Sequence, residues 1–160
     1  MKMLNFSKRG FTLIELVIVL GISLTILGFI TINLVNFQQK VSINSIIDTL
    51  TSDIKSQQTK AMVGAGSGNS YGIYFQEDRY VLFSGQSYSS TNSSNFTSML
   101  DANSVFTNIT FPGNAVVFSK QSGEISGFVN GSNAITIKEN NGSNQKTVIL
   151  NKYGVIVSVN

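Results

Sequence analysis

The chain has 160 residues, 42% apolar and 12% charged, which bounds it to one modest domain plus whatever its longest apolar run requires. Its 11 basic and 8 acidic side chains invite a nucleic-acid partner, yet Lys2, Lys8 and Arg9 fall in the first ten residues and the remainder balances at 8 and 8. With no cysteine and no histidine there is no disulfide framework, no Ser-His-Asp or Cys-His nucleophile and no usual ligand set for tetrahedral zinc.

In chain order, the first informative stretch is Lys8-Arg9-Gly10-Phe11-Thr12-Leu13-Ile14-Glu15, followed by an apolar run to about Ile32. No charge interrupts the chain from Leu16 to Gln39, so at ~1.5 Å per residue this run is long enough to cross a bilayer core of ~30 Å as a helix. The basic residues ahead of it are retained on the cytoplasmic side, and the rest of the chain is exported. An ordinary cleaved secretory signal ends in small residues after its apolar region, but the first alanine is Ala61, so the run is expected to be kept. Glu15 lies just inside it, where an unpaired charge costs up to ~2.5–3.5 kcal/mol at mid-membrane and less near the end. A cut between Gly10 and Phe11 supplies a partner, an amino group ~6 Å along the helix from that carboxylate. The alternative is that Glu15 snorkels to the interface of a plain signal anchor.

These residues resemble the cleavage and methylation motif of type IV prepilins and pseudopilins: a basic pair, Gly10, Phe11 and Glu15 in register. The resemblance implies that a prepilin peptidase removes residues 1–10 and methylates the Phe11 amine, and that Glu15 pairs with the N-terminal amine of a neighbouring subunit. It also implies the partners: that peptidase and methylase, other pilin or pseudopilin subunits, and an inner-membrane assembly platform. Within the run, Gly21, Thr25 and Gly28 form a stripe of small residues for close helix packing, or reflect only how common glycine and threonine are in membrane helices. Many major pilins carry a kinking proline about twenty residues past the cleavage site. Here the only proline is Pro112, so a straighter helix is expected.

Beyond Asn33 the chain turns polar but keeps helical spacing, with Ile43, Ile47, Leu50 and Ile54 on one stripe, Ile46 widening it, and Asp48, Asp53, Lys55 and Lys60 on the wet side. The run Gly64-Ala65-Gly66-Ser67-Gly68 ends the element, giving one helix of ~80 Å from residue 11 whose second half needs cover. Strands are expected at Tyr71–Gln76, Arg79–Phe83, Val105–Phe111, Ala115–Ser119, Ile125–Val129, Ala134–Lys138, Thr147–Asn151 and Val155–Val159, separated by glycine-containing turns. The Ser84–Ser104 stretch, rich in serine and asparagine, is expected as a loop with Tyr88, Phe96, Met99 and Leu100 as anchors.

The fold class expected is therefore α+β, a long N-terminal helix packed against an antiparallel β domain as in type IV pilins. The divisions are a leader at 1–10, a transmembrane and assembly helix at 11–32, its amphipathic continuation at 33–64, and an extracytoplasmic β-rich domain at 65–160. More loosely, Thr51–Met62, Tyr71-Gly72-Ile73, Ser122-Gly123-Glu124-Ile125, Ile135-Thr136-Ile137 and Gly154-Val155 are similar to the H-type minor pseudopilins of type II secretion and FimT-like minor pilins. Some FimT-like pilins use arginines beside the last glycine to contact DNA. Gly154-Val155-Ile156-Val157 has none, so a DNA-binding or adhesive minor pilin stays the alternative and a structural minor pilin or pseudopilin the main expectation. No enzyme, cofactor or metal is expected, because Glu77 and Asp78 are adjacent and point apart, and Glu124 and Glu139 are the only carboxylates after Asp101. Asn95-Phe96-Thr97 and Asn108-Ile109-Thr110 match a glycosylation triplet, as chance provides in so asparagine-rich a chain.

Overall fold

A computed structural model describes residues 10–140, 142 and 144–160, with side chains at all of these but 29–42, 67 and 68. Residues 1–9 of the expected leader, with Lys8 and Arg9, and Asn141 of the expected Asn141-Gly142 turn lie outside the described residues. The chain divides into two compact units, residues 1–38 and 39–160. Helix α1 is assigned from Leu13 to Val63, so it contributes to both.

In the second unit the helical stripe is what periodicity predicts, and longer. Ile43, Ile47, Leu50 and Ile54 are buried, and Gln57 and Ala61 continue the same steps of three and four. Asp53 departs from the expected wet side: it is half-buried, and its Oδ2 accepts a 2.6 Å hydrogen bond from the Tyr80 hydroxyl. Gly64, in the left-handed conformation (φ 67°, ψ 32°), breaks the helix, and a further turn α2 follows at Ala65–Gly68.

The stripe is covered by two antiparallel sheets of four strands each. The first has the order β3-β2-β1-β5, built from β1 Tyr71–Phe75, β2 Arg79–Ser84, β3 Phe96–Met99 and β5 Ala115–Phe118. The second has the order β4-β6-β7-β8, built from β4 Ser104–Thr107, β6 Ala134–Glu139, β7 Gln145–Leu150 and β8 Ile156–Val159. Alternation decides what faces the helix: Ile73 and Phe75 of β1, Tyr80 and Leu82 of β2, and Val116 and Phe118 of β5 join one core with Ile135, Ile137, Val148 and Leu150. Phe75 sits among aromatic rings, edge-on to Phe106 at 5.6 Å and stacked on Phe111 at 5.8 Å between centroids.

Polar groups of the helix are used to hold strands and turns in place. Buried Gln57 donates from Nε2 to the carbonyls of Gly72 (2.8 Å) and Phe83 (3.3 Å), a facing pair on β1 and β2. Gln58 donates to the carbonyls of Gly123 and Tyr153, and Gln121 N–H caps the helix carbonyl of Ala61. The β1–β2 turn stitches the two sheets through Glu77 C=O, which accepts from Phe106 N–H of β4, while Asp78 C=O accepts from Leu100 N–H just past β3 in its own sheet.

Three sequence expectations are corrected. Ile125–Val129 is not a strand: Ile125 makes a single bridge to Phe118, and at Gly127 (φ 64°) the chain turns away from β5. Val105–Phe111 shortens to β4, which ends where Asn108 turns left-handed (φ 48°). The Ser84–Ser104 stretch is no bare loop, because it contains β3 paired with β2 from Arg79↔Met99 to Leu82↔Phe96. Of its expected anchors, Tyr88 stacks on Tyr74 and Leu100 packs on the core, but Phe96 and Met99 are 65% and 59% exposed.

Candidate functional site

The sequence places its candidate functional residues at the start of α1, and there the local geometry follows from one side-chain pair. Thr12 and Glu15 make a capping box: Thr12 Oγ1 accepts from Glu15 N–H at 3.3 Å, and Glu15 Oε2 accepts from Thr12 N–H at 3.4 Å. The first full helical bond, Leu16 N–H to Thr12 C=O at 3.2 Å, follows from that start. Glu15 thus has a role the charge-pairing reading did not include, though Thr12-x-x-Glu15 is a legible capping pattern. The carboxylate is held at the helix N-terminus, where the macrodipole favours a negative charge, one residue beyond the Phe11 amide.

Gly10 and Phe11 stand open ahead of the helix, Phe11 86% exposed and Gly10 with nothing within 4 Å of where a Cβ would sit. Between Leu13 and Leu27 every large apolar side chain is at least 53% exposed. Gly21 and Gly28 also have open space at the Cβ position, and the Thr25 hydroxyl is satisfied inside the helix by Ile22 C=O at 2.7 Å. These three residues therefore form a surface with room for another helix to approach, and no polar hydrogen is left over at Thr25. Among the described residues no helix is long and apolar enough to cross a membrane. The expected span 11–32 runs past residue 28, and its remainder lies outside the described side chains.

The β domain offers little chemistry of its own among the described residues. Among the described residues no group of three or more acidic side chains could hold a metal ion. Arg79 is bound to Asp78 in a two-bond fork at 2.8 and 2.7 Å, and this hydrogen-bonded pair holds the Asp78 carboxyl below its ordinary value. Lys152, next to the last glycine turn, pairs with Glu124 at 3.3 Å. Burial, and then the hydrogen bond to Asp53, push the Tyr80 hydroxyl above its ordinary value.

No curated protein and no solved structure matches the chain. Residues 5–31 match the family described as "Prokaryotic N-terminal methylation motif", a span that includes Gly10, Phe11, Glu15, Gly21, Thr25 and Gly28. That match supports the type IV pilin and pseudopilin family for this chain, with processing by a prepilin peptidase and assembly with other pilins as what the motif implies.

Proposed function

We propose that this protein is a structural filament subunit, a minor pilin or minor pseudopilin of a type IV pilus or type II secretion pseudopilus, that acts by assembly rather than catalysis. It is cut between Gly10 and Phe11, methylated on the Phe11 amine, held in the inner membrane by a single span with its C-terminal domain outside the cytoplasm, and then drawn into a filament. The observation that carries this reading is the uncovered apolar surface of Leu13–Leu27, which lies within the matched residues 5–31 and directly follows Gly10 and Phe11. A helix apolar on all sides has no orientation that leaves one face in water, so its cover comes from outside the chain, from lipid before assembly and from neighbouring helices after it. Glu15 gains from the exchange, since a neighbour's amine gives a counter-charge to a carboxylate otherwise held in an apolar setting only by its cap to Thr12. The DNA-binding alternative draws less support, because Arg79 and Lys152 are already paired.

Two measurements test the proposal. Mass spectrometry of the protein from membranes of its own host gives a chain beginning at N-methylated Phe11; a chain still carrying residues 1–10 overturns it. Because glutamine also serves in a capping box, Glu15→Gln keeps the helix start and removes only the charge. It is expected to insert normally and to be missing from sheared filaments, as Glu15→Ala is; normal incorporation of Glu15→Gln would assign the carboxylate to capping alone.

A further inference from the structure

The β domain holds a cavity of about 510 Å3 that the filament role does not use. It opens where the chain leaves β5 at Gly127, and it is lined by the outer edge of that strand, the 86–88 segment, the turn at Pro112–Gly113 and the 125–132 segment. Its size lies within the ~300–1,000 Å3 of small-molecule sites. Two properties of the lining define what it can take.

The first is charge. None of the lining residues is ionisable in the neutral range, so a charged ligand would lose hydration with no counter-charge to meet it. The second is the mixture of flat rings and unused hydrogen-bonding groups. Tyr74 and Tyr88 stack in parallel, 4.1 Å between centroids and 6° between planes, and Phe128 contributes a further ring. Among the described residues, the hydroxyls of Tyr74, Tyr88, Ser126 and Ser132 and the Gln86 amide make no side-chain hydrogen bond, although all five residues line the cavity.

An added β-strand fits these facts poorly. Along the outer edge of β5, Ala115 N–H already bonds Pro112 C=O and Val117 C=O already receives Ser126 N–H at 2.8 Å, which leaves too few free rungs for strand pairing. A ligand with apolar ring faces and a rim of neutral hydroxyls fits both properties at once. We propose that this cavity is a binding site for a neutral saccharide, whose C–H faces lie against the aromatic rings while its hydroxyls bond the serine, tyrosine and glutamine groups.

The test uses the full chain in a detergent without a sugar headgroup, titrated calorimetrically with cellobiose, maltose, lactose and diacetylchitobiose, and with a sulfated heparin disaccharide as the anionic probe. At least one neutral probe is expected to bind with Kd of about 1 mM or tighter. The paired change Ser126→Ala, Ser132→Ala should weaken that binding at least about tenfold with the melting temperature unchanged. Tyr88→Ala is a second variant that removes a ring rather than hydroxyls. The proposal is overturned if no neutral probe binds below about 10 mM, if the sulfated probe binds as tightly, if a strand-forming peptide binds the site instead, or if neither variant weakens the saccharide.

Discussion

Helix α1 carries two apolar surfaces that solve different problems. From Leu13 to Leu27 apolar side chains surround the helix and all are exposed; from Ile43 to Ala61 they keep to one stripe and are buried under the chain's own sheets. The number of apolar residues is not what separates the two. In the second stretch polar residues fill the gaps of three and four, so a sheet can cover one side while Lys55 and Lys60 stay wet. In the first there is no polar side to leave uncovered, and only an environment that surrounds the helix removes its surface from water. Stability of the β domain and, on the proposed function, assembly into a filament should therefore respond to different halves of one helix.

The sharpest way to break that comparison is to shorten one leucine in each half. Leu50 has no exposed surface, and Leu50→Ala should cost about 2–5 kcal/mol, through lost burial and a cavity at the helix–sheet interface. Leu20, 54% exposed, should cost within about 0.5 kcal/mol as Leu20→Ala. Urea unfolding of the full chain in detergent, followed by tyrosine fluorescence, reads both. Equal losses would mean that the two surfaces are not independent.

The next effect tests whether polar contacts of the second half are as important as its stripe. Tyr80→Phe removes the hydroxyl that bonds the Asp53 carboxylate and should cost about 1.5–3 kcal/mol. It should also change the alkaline limb. The folded pKa of Tyr80 is raised, so its contribution is full below the ordinary value of 10.0 and is lost as pH climbs through the folded value. The variant should lose that part of the wild-type decline in stability above pH 10.0, and an unchanged alkaline limb would count against the Tyr80–Asp53 bond as its source. Gln57→Leu keeps the volume but withdraws the donor shared by Gly72 and Phe83; about 1–3 kcal/mol is expected from the same unfolding curve.

What the sequence made legible follows the same division. The stripe beginning Ile43, Ile47, Leu50 and Ile54 was readable because burial against one partner forces a period, and the motif at Gly10–Glu15 because its residue types are tied to a fixed spacing. Gln57 was not readable as core, since its burial depends on two carbonyls brought over it by strands distant in sequence. Strand β3 escaped because Phe-Thr-Ser-Met sits at a sheet edge with three of four residues exposed, so no alternation marks it. Ile125–Val129 erred the other way, as an apolar segment whose pairing stops after one bridge because Gly127 redirects the backbone. The cavity beside β5 is a product of that redirection, and no local pattern announces the meeting of Tyr74, Tyr88, Ser126 and Ser132.

The smallest effect should come from the most conspicuous ion pair. Asp78 and Arg79 meet in a two-bond fork, but both are exposed to water, and a pair of this kind gains little because solvent and salt screen it. The turn that carries them is held by its backbone, through the Glu77 carbonyl to β4 and the Asp78 carbonyl to Leu100, so Asp78→Asn leaves the link between the two sheets in place. The folded pKa of Asp78 is lowered, chiefly by its hydrogen bond to Arg79; desolvation opposes this, and the attraction between the two charges adds a lesser lowering. Its contribution is therefore present above the ordinary value of 3.8 and fades as pH falls through the lower, folded value. Urea midpoints of wild type and Asp78→Asn should differ slightly at about pH 7, converge at about pH 2, and converge also at neutral pH in about 1 M salt. A loss as large as that of Leu50→Ala would reverse the ranking, and surface charge rather than buried contact would then decide what holds the second half of α1 to its sheets.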